Sequence, residues 1–336
     1  MQKRKLQEDT ALKKLLCALL ALLIALPGLP GLAVPDQEGT VYKTVSQKKK
    51  VYSLADTDYL VEDYRIYFLP DKAITQAQSF NKVLSAFPKV ETFVYLATSC
   101  RSVDFDDLSA EPPLYSLIRE YYPNSKTDLL PLHSIEEYCS YYYKTDHHWN
   151  YRGSYQGYQQ IIRMMLGEEE KLLEPIETVE FPVHFNGSLN ALLKRNTSEE
   201  NFTVYRFDYP EMTVHINGKK KTAYGKQTAY FSGKYSKRNL MANHYGEFYG
   251  GDQGLVQFTT GDESKENILV FAGSFSNAVN MLIASHFNNT YFVDMRHYKE
   301  DMGEKFNLTQ SIRDWHISKV LLLGDGYFFK WGTTYR

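Results

Sequence analysis

The chain has 336 residues, 43% of them hydrophobic and 23% charged, so it is long enough for one large domain or two ordinary ones and can fill a core. Its formal net charge is −2, and its basic tracts stop at Lys48-Lys49-Lys50 and Lys219-Lys220-Lys221, which excludes the electrostatic footprint of a nucleic-acid binder. Tyrosine is the outlier at 27 residues; phenols suit sugar-facing surfaces, and they equally fill half-buried strand positions.

At the N-terminus, Lys3, Arg4, Lys5, Lys13 and Lys14 precede an unbroken apolar run from Leu15 to Leu26. Pro27-Gly28 then breaks any helix, and Gly31-Leu32-Ala33 supplies the small residues a signal peptidase needs. Residues 1–34 therefore read as a signal peptide or a membrane anchor, since Leu15 to Val34 is close to the roughly 20 apolar residues that span a bilayer. Either way the remaining chain is expected outside the cytoplasm. Beyond this segment the cysteines are Cys100 and Cys139; they are able to pair in an oxidising compartment, but two cysteines do not make a disulfide scaffold.

Residues 35–58 are polar and lysine-rich and read as a linker, stalk or loosely held first strand. From 59 to 336 the pattern is α/β. Tyr64 to Leu69 predicts a strand, and Ile74 to Phe87 a helix with apolar residues at helical spacing. Thr92 to Ala97 predicts a strand buried on both faces, and Leu114 to Tyr121 a helix. Tyr141 to Lys144 predicts a strand running into Thr145-Asp146-His147-His148-Trp149. Asn150 is the expected N-cap of a helix that Gly167 closes. Residues 178–260 read as a β-rich elaboration containing a hairpin, Thr213 to Ile216 and Lys219 to Tyr224, turned by Asn217-Gly218. Regular alternation then returns: strand Ile268 to Ala272, turn Gly273 to Ser276, helix Asn277 to His286, strand Tyr291 to Asp294, helix Leu308 to Trp315, strand Lys319 to Leu323. That order implies right-handed crossovers and a mostly parallel sheet between two helical layers.

Two segments carry candidate chemistry. In extended chain Asp146 and His148 project to one side, and a carboxylate beside an imidazole fixes its tautomer and stabilises the imidazolium. Ser274 supplies a hydroxyl where a strand turns into a helix at the C-terminal sheet edge, with Gly273 permitting a sharp turn. The helix N-terminus there offers N–H groups to an oxyanion. Two other readings stand beside this one. Asp146, His147 and His148 could ligate zinc, though no further ligand stands at convincing spacing. The same residues could also form a buried polar network.

The run Tyr-Lys-Thr-Asp-His-His-Trp-Asn, Tyr143 to Asn150, resembles the signature of bacterial DHHW proteins, which are similar in turn to the SGNH-hydrolase-like proteins that O-acetylate alginate. The resemblance covers most of residues 60–336. It implies a three-layer SGNH-hydrolase-like α/β domain with the acid and base ahead of the nucleophile in the chain. By position it makes Ser274 the nucleophile, His148 the base and Asp146 its orienting carboxylate. Gly187, within Phe185 to Leu189, and Gly273 and Trp149 become oxyanion or substrate-binding positions. Asp252 and Gln253 stand where Asn and His are usual, Asp294-Met295-Arg296 matches an Asp-x-Arg strand end, and Ala272-Gly273 replaces an acidic residue common before the serine. The implied activity is acyl transfer, most simply of acetyl, or ester hydrolysis on a cell-surface polysaccharide. It needs no metal or organic cofactor, and it brings a membrane acyl-donating protein as a partner. The alternative is a non-catalytic glycan-binding or assembly protein on the same fold.

Overall fold

A computed structural model describes residues 40–195, 198–235 and 243–336. The apolar segment Leu15 to Val34 lies outside the described residues, among which no helix is long and apolar enough to cross a membrane.

The strands are β1 (Tyr42–Ser46), β2 (Val51–Leu54), β3 (Leu60–Glu62), β4 (Glu91–Leu96), β5 (Lys126–Leu129), β6 (Glu177–His184), β7 (Asn201–Arg206), β8 (Thr213–Ile216), β9 (Lys219–Lys221), β10 (Leu255–Thr259), β11 (Asn267–Ala272), β12 (Asn289–Val293) and β13 (Lys319–Gly324). The central sheet runs β5-β4-β13-β11-β12-β10-β8-β9. From β5 to β12 neighbours are parallel; β10, β8 and β9 extend the sheet antiparallel.

Strict alternation makes this a three-layer fold. On β11, Ile268, Val270 and Ala272 face one core, where Tyr158, Ile161, Ile162 and Met165 of helix Tyr151–Leu166 meet them. Leu269 and Phe271 face the other, against Ala73, Ala77, Phe80 and Leu84 of helix Pro70–Leu84 and Leu308 and Ile312 of helix Leu308–Asp314. A strand buried on both faces has no polar side to show, hence its continuous apolar sequence. Each such side chain contributes about 1.5–3 kcal/mol on leaving water. The helix after Asn150 forms as expected: Asn150 Oδ1 accepts the N–H groups of Arg152 and Gly153 (2.9 and 3.2 Å), and Gly167 ends it at φ 98°. Gly157 is required within it, because a Cβ there would lie 2.6 Å from the Trp149 ring.

Several elements differ from expectation. Tyr64 to Leu69 is not a strand; Asp63 caps a single 3-10 turn, Tyr64–Ile66, just before Pro70 starts a helix. Tyr141 to Lys144 is not a strand either. Ser134 caps helix Ile135–Tyr141, and the tyrosine run carries Tyr142 into a stack on Tyr138 (4.4 Å, 9°) instead of into a ladder. Residues 42–54, where a stalk or loose first strand was expected, form the hairpin β1–β2, with Val51 and Leu54 fully buried. The 178–260 region adds the β6–β7 pair and delivers β8, β9 and β10 to the sheet. Asn217 and Gly218 both take positive φ (49° and 74°), the tight hairpin turn expected. Many tyrosines serve the interior: Tyr95, Tyr138, Tyr142 and Tyr158 are fully buried. Cys100 and Cys139 are free, and burial pushes their thiols up, to about 12 and about 11.

Candidate active site

The site lies beyond the C-terminal ends of the parallel strands. After β11 the chain passes Gly273 into a 3-10 helix, Ser274–Ala278. Gly273 has φ −113° and ψ −159°, extended backbone that any residue adopts, so a sharp turn is not what selects glycine here. The Arg296 guanidinium lies 3.4 Å from where a Cβ would sit, an ordinary contact distance.

Residues 145–149 reach Ser274 from the other side of the sequence. Tyr142 bridges Trp149, and the Asn150 N–H donates to Tyr141 O (2.8 Å), closing the segment into a loop. Trp149 is fully buried, and its indole N–H donates to Phe275 O at 3.0 Å. It pins this loop to the serine turn and has no surface to offer a substrate. The consequence is direct: His148 Nε2 lies 2.6 Å from Ser274 Oγ, and His148 Nδ1 lies 2.6 Å from Asp146 Oδ1. The serine and histidine are 126 residues apart in sequence.

Asp146 is held tightly. Its Oδ1 also accepts the His148 backbone N–H (2.8 Å) and its Oδ2 the Ser188 N–H (2.6 Å). Burial opposes its ionisation, but the two neighbouring imidazoles and these N–H groups outweigh burial and hold its carboxyl well below the usual range. An ionised Asp146 takes the Nδ1 proton of His148 as a hydrogen bond, which leaves the Nε2 lone pair facing Ser274.

His147 is not turned away from this group as simple alternation predicts. The loop is not extended, and the two imidazoles lie 3.9 Å apart by ring centroid. His147 Nδ1 is 2.7 Å from Ser188 Oγ and 3.7 Å from Asp146 Oδ1. Burial, then repulsion from Arg101 and His148, pushes its pKa well down, so it stands neutral at pH 7. Ligating atoms of Asp146, His147 and His148 fall within 4.8 Å of one another. Both Asp146 oxygens already accept N–H groups and His148 faces Ser274, so the arrangement is a hydrogen-bonded relay.

Gly187 takes a different part from an oxyanion donor. Its N–H already donates to Thr145 Oγ1 (2.9 Å), and a Cβ there would lie 2.4 Å from both Asp146 Cβ and Thr145 O. Glycine is needed so that this backbone can press against Asp146.

Sequence reasoning missed Tyr245 and Arg101. The Tyr245 ring stacks on His148 (4.3 Å, 13°) and its hydroxyl donates to Ser274 O at 3.0 Å. Arg101, just past β4, donates to Glu62 (2.7 Å) and lies over the rings of Tyr67 and Tyr327. No local pattern announces either. The Asp-x-Arg motif did signal Arg296, which donates to Asp294 (2.9 Å) and to Asp252 (2.9 Å). Asp252, one of the departures from the family pattern, thus has a defined polar role and also accepts from Asn277 (3.0 Å). The relay opens on a cleft of about 1090 Å³ bordered by Asp146, His147, His148, Ser274, Lys194 and Arg195.

No protein-family model matches the chain, and no curated protein does. Solved structures do. A DHHW family protein from Eubacterium siraeum matches with a TM-score of 0.63 at 18% identity, over 86% of this chain and 95% of that one. PatB1 of Bacillus cereus, solved with a sulfonyl adduct, matches with a TM-score of 0.61 at 18% identity, over 85% and 98%. A weaker match, 0.44 at 10% identity over 82% and 91%, is the O-acetyltransferase domain of Pseudomonas putida AlgJ. The first two share this chain's fold, the SGNH-like α/β architecture that Tyr143 to Asn150 led one to expect.

Proposed function

We propose that the chain is a serine-dependent acyltransferase or esterase that moves or removes an acetyl group on a cell-surface polysaccharide, outside the cytoplasm. The observation that carries this reading is the unbroken relay Asp146–His148–Ser274, with both links at 2.6 Å, at the mouth of a large cleft. Ser274 Oγ attacks the acyl carbonyl carbon while its proton passes to His148 Nε2. Asp146 stabilises the imidazolium formed, and His148 then gives the proton to the departing oxygen. The Ser276 N–H already donates to Gly273 O (3.1 Å), so the N–H groups that stand ahead of it, at Ser274 and Phe275, are the ones that suit the developing oxyanion. In the second half, a sugar hydroxyl (transfer) or water (hydrolysis) loses its proton to His148 and takes the acyl group from Ser274. The acetyl group, the glycan and a membrane partner that supplies acyl groups rest on the resemblance of Tyr143 to Asn150 to DHHW proteins. The location rests on the N-terminal apolar run, and a reporter fused after Arg336 should be active only outside the cytoplasm.

The test is hydrolysis of a simple acetyl ester, and transfer to an oligosaccharide, by purified wild type against Ser274→Ala. Removing one hydroxyl leaves the core untouched, so the variant should fold and lose about 10³-fold or more in kcat/KM. Activity untouched by the substitution would end the enzyme reading and favour a glycan-binding protein.

A further inference from the structure

Two cavities meet at Ser274. One is the open cleft of about 1090 Å³. The other is a narrow cavity of about 20 Å³, bordered by Gly273, Ser274, Phe275, Met295, Phe328 and Trp331. Arg101, Arg296 and Tyr327 border both and so form the wall between them. A reacting ester has two parts that must diverge from the serine, the acyl chain and the alcohol, and two cavities of very unequal size diverge from it here.

Size decides which part goes where. A single water needs about 10–15 Å³ by this measure, so about 20 Å³ accepts a group the size of one methyl. A sugar ring cannot enter it, and the cleft is wide enough for several. The walls of the narrow cavity are also fixed in different ways. Phe328 covers the end of β13: a Cβ on Gly324 would lie 2.3 Å from Phe328 Cβ and 2.4 Å from its Cγ. The phenyl ring therefore sits where only a glycine strand end lets it sit. Its backbone N–H and that of Tyr327 donate to Asp325 Oδ1 (3.2 and 3.1 Å), which anchors the short helix that bears both rings. Trp331 lies at the rim, 51% exposed, with its indole edge-on to Tyr327 at 6.0 Å. An indole left half in water beside a nucleophile is a large apolar surface with no core to serve.

We propose that the narrow cavity is the acyl subsite, that it admits a two-carbon acyl group and no longer chain, and that Phe328 and Trp331 set this limit. The inference rests on Ser274 being the nucleophile. Acylation forms the Ser274 Oγ–carbonyl carbon bond and breaks the carbonyl carbon–oxygen bond to the leaving alcohol, with the proton passing through His148. The methyl of the acetyl then lies toward Phe328 while the alcohol leaves by the cleft.

Sulfonyl fluorides test the subsite without needing a natural substrate. Ser274 Oγ bonds to sulfur, fluoride leaves, and the proton goes to His148; the sulfonyl substituent must occupy the acyl subsite. Wild type, Phe328→Ala and Trp331→Ala are treated with methanesulfonyl fluoride and with 1-butanesulfonyl fluoride, and Ser274 labelling rates are read by peptide mass. In parallel, kcat/KM is measured on acetyl and butanoyl esters of one phenol. Wild type should take the methyl reagent and the acetyl ester at least tenfold faster than the four-carbon ones, since one methylene against a closed wall is worth about 10–200-fold. Each alanine variant should raise the four-carbon to two-carbon ratio about tenfold. Trp331 is half exposed and serves no core, so its variant keeps the test open if Phe328→Ala unfolds. Equal labelling of wild type by both reagents overturns the subsite while leaving the relay standing. Ratios unmoved in folded Trp331→Ala and Phe328→Ala overturn the assignment of these walls. No labelling of Ser274 by either reagent in folded wild type overturns the nucleophile and this inference with it.

Discussion

Asp146→Asn separates a working relay from a polar network of the same shape. The wild-type carboxylate accepts three N–H groups: the His148 ring at 2.6 Å, the His148 backbone at 2.8 Å and the Ser188 backbone at 2.6 Å. An amide has one acceptor oxygen to replace two. With that oxygen toward His148, its NH2 group meets the Ser188 N–H donor to donor, and a buried donor without an acceptor costs about 1–3 kcal/mol. With the amide turned round, its NH2 faces the imidazole, which must carry its own proton on Nε2. In that tautomer His148 has no lone pair for the Ser274 proton. Either arrangement also removes the negative charge that stabilises the imidazolium. The expected loss in kcat/KM is about 10⁴-fold, the scale of losing the carboxylate from a serine-protease triad, or roughly 5 kcal/mol of barrier. The assay is initial rates on an acetyl ester, with thermal unfolding of the same samples. A Tm lowered by a few degrees with a rate loss under tenfold would show that Asp146 serves packing alone and that the relay does not carry the reaction.

His148→Ala should abolish ester turnover, while His147→Ala, which loses the contact to Ser188 Oγ but not the relay, should cost roughly tenfold; equal losses with stoichiometric bound zinc would return the metal reading. Gly187→Ala places a Cβ 2.4 Å from Asp146 Cβ and Thr145 O, so it should destabilise by about 1–3 kcal/mol and slow turnover together, read from Tm and initial rates. Glu200 accepts the Lys144 N–H (3.0 Å), and burial pushes its carboxyl up to about 8. Between an unfolded value of about 4.3 and that raised one, the folded state holds a proton the unfolded state has lost, so this contribution to stability falls as pH rises through that window. Glu200→Gln keeps the acceptor oxygen and removes the titration; melting curves at pH 4, 6 and 8 should show its advantage over wild type growing with pH, and a constant gap would refute the half-buried, protonated carboxyl.

The parts of the fold that could be read from sequence are those whose burial is complete. β4, β11 and β13 lie between two helical layers, and strands with no solvent face declare themselves by unbroken apolar runs. Their ends locate Ser274, and the i, i+2 spacing in the Asp-His-His-Trp loop supplies the rest, although the loop is bent and its two histidines touch. Elements at the periphery were harder. β5 is an edge strand with the sequence Lys-Thr-Asp-Leu and shows no alternation, and β1 has no fully buried residue to mark it. The tyrosine run before the loop has strong strand propensity, yet Ser134 and the acidic first turn start a helix that stacking of Tyr138 on Tyr142 completes. Tyr245 and Arg101 act only through tertiary placement, on segments with no periodic signal, and sequence is silent about them for that reason.

The charged wall beside Ser274 bears on how any substitution there is read. Arg101 donates to Glu62 at 2.7 Å and lies 3.6 Å from Asp325, and Arg296 is shared by Asp294 and Asp252. Each guanidinium is mostly buried and already faces two carboxylates, so neither offers a free positive charge to a substrate in the way an isolated surface arginine does. Removing Arg101 leaves the buried Glu62 and Asp325 uncompensated, and removing Arg296 the buried Asp294, a loss of about 3–5 kcal/mol that arises whether or not the residue touches substrate. Asp325 links that ion pair to the narrow cavity beside Ser274. Burial pushes its carboxyl up, Arg101 and the Phe328 N–H act against this, and the same side chain caps the helix carrying Tyr327 and Phe328. Arg101→Met should therefore loosen the Phe328 wall through Asp325 as well as lower stability. A rate loss in that variant counts as catalytic only if the four-carbon to two-carbon ratio and the Tm both stay at wild-type values, because a displaced wall moves the first and an orphaned carboxylate moves the second.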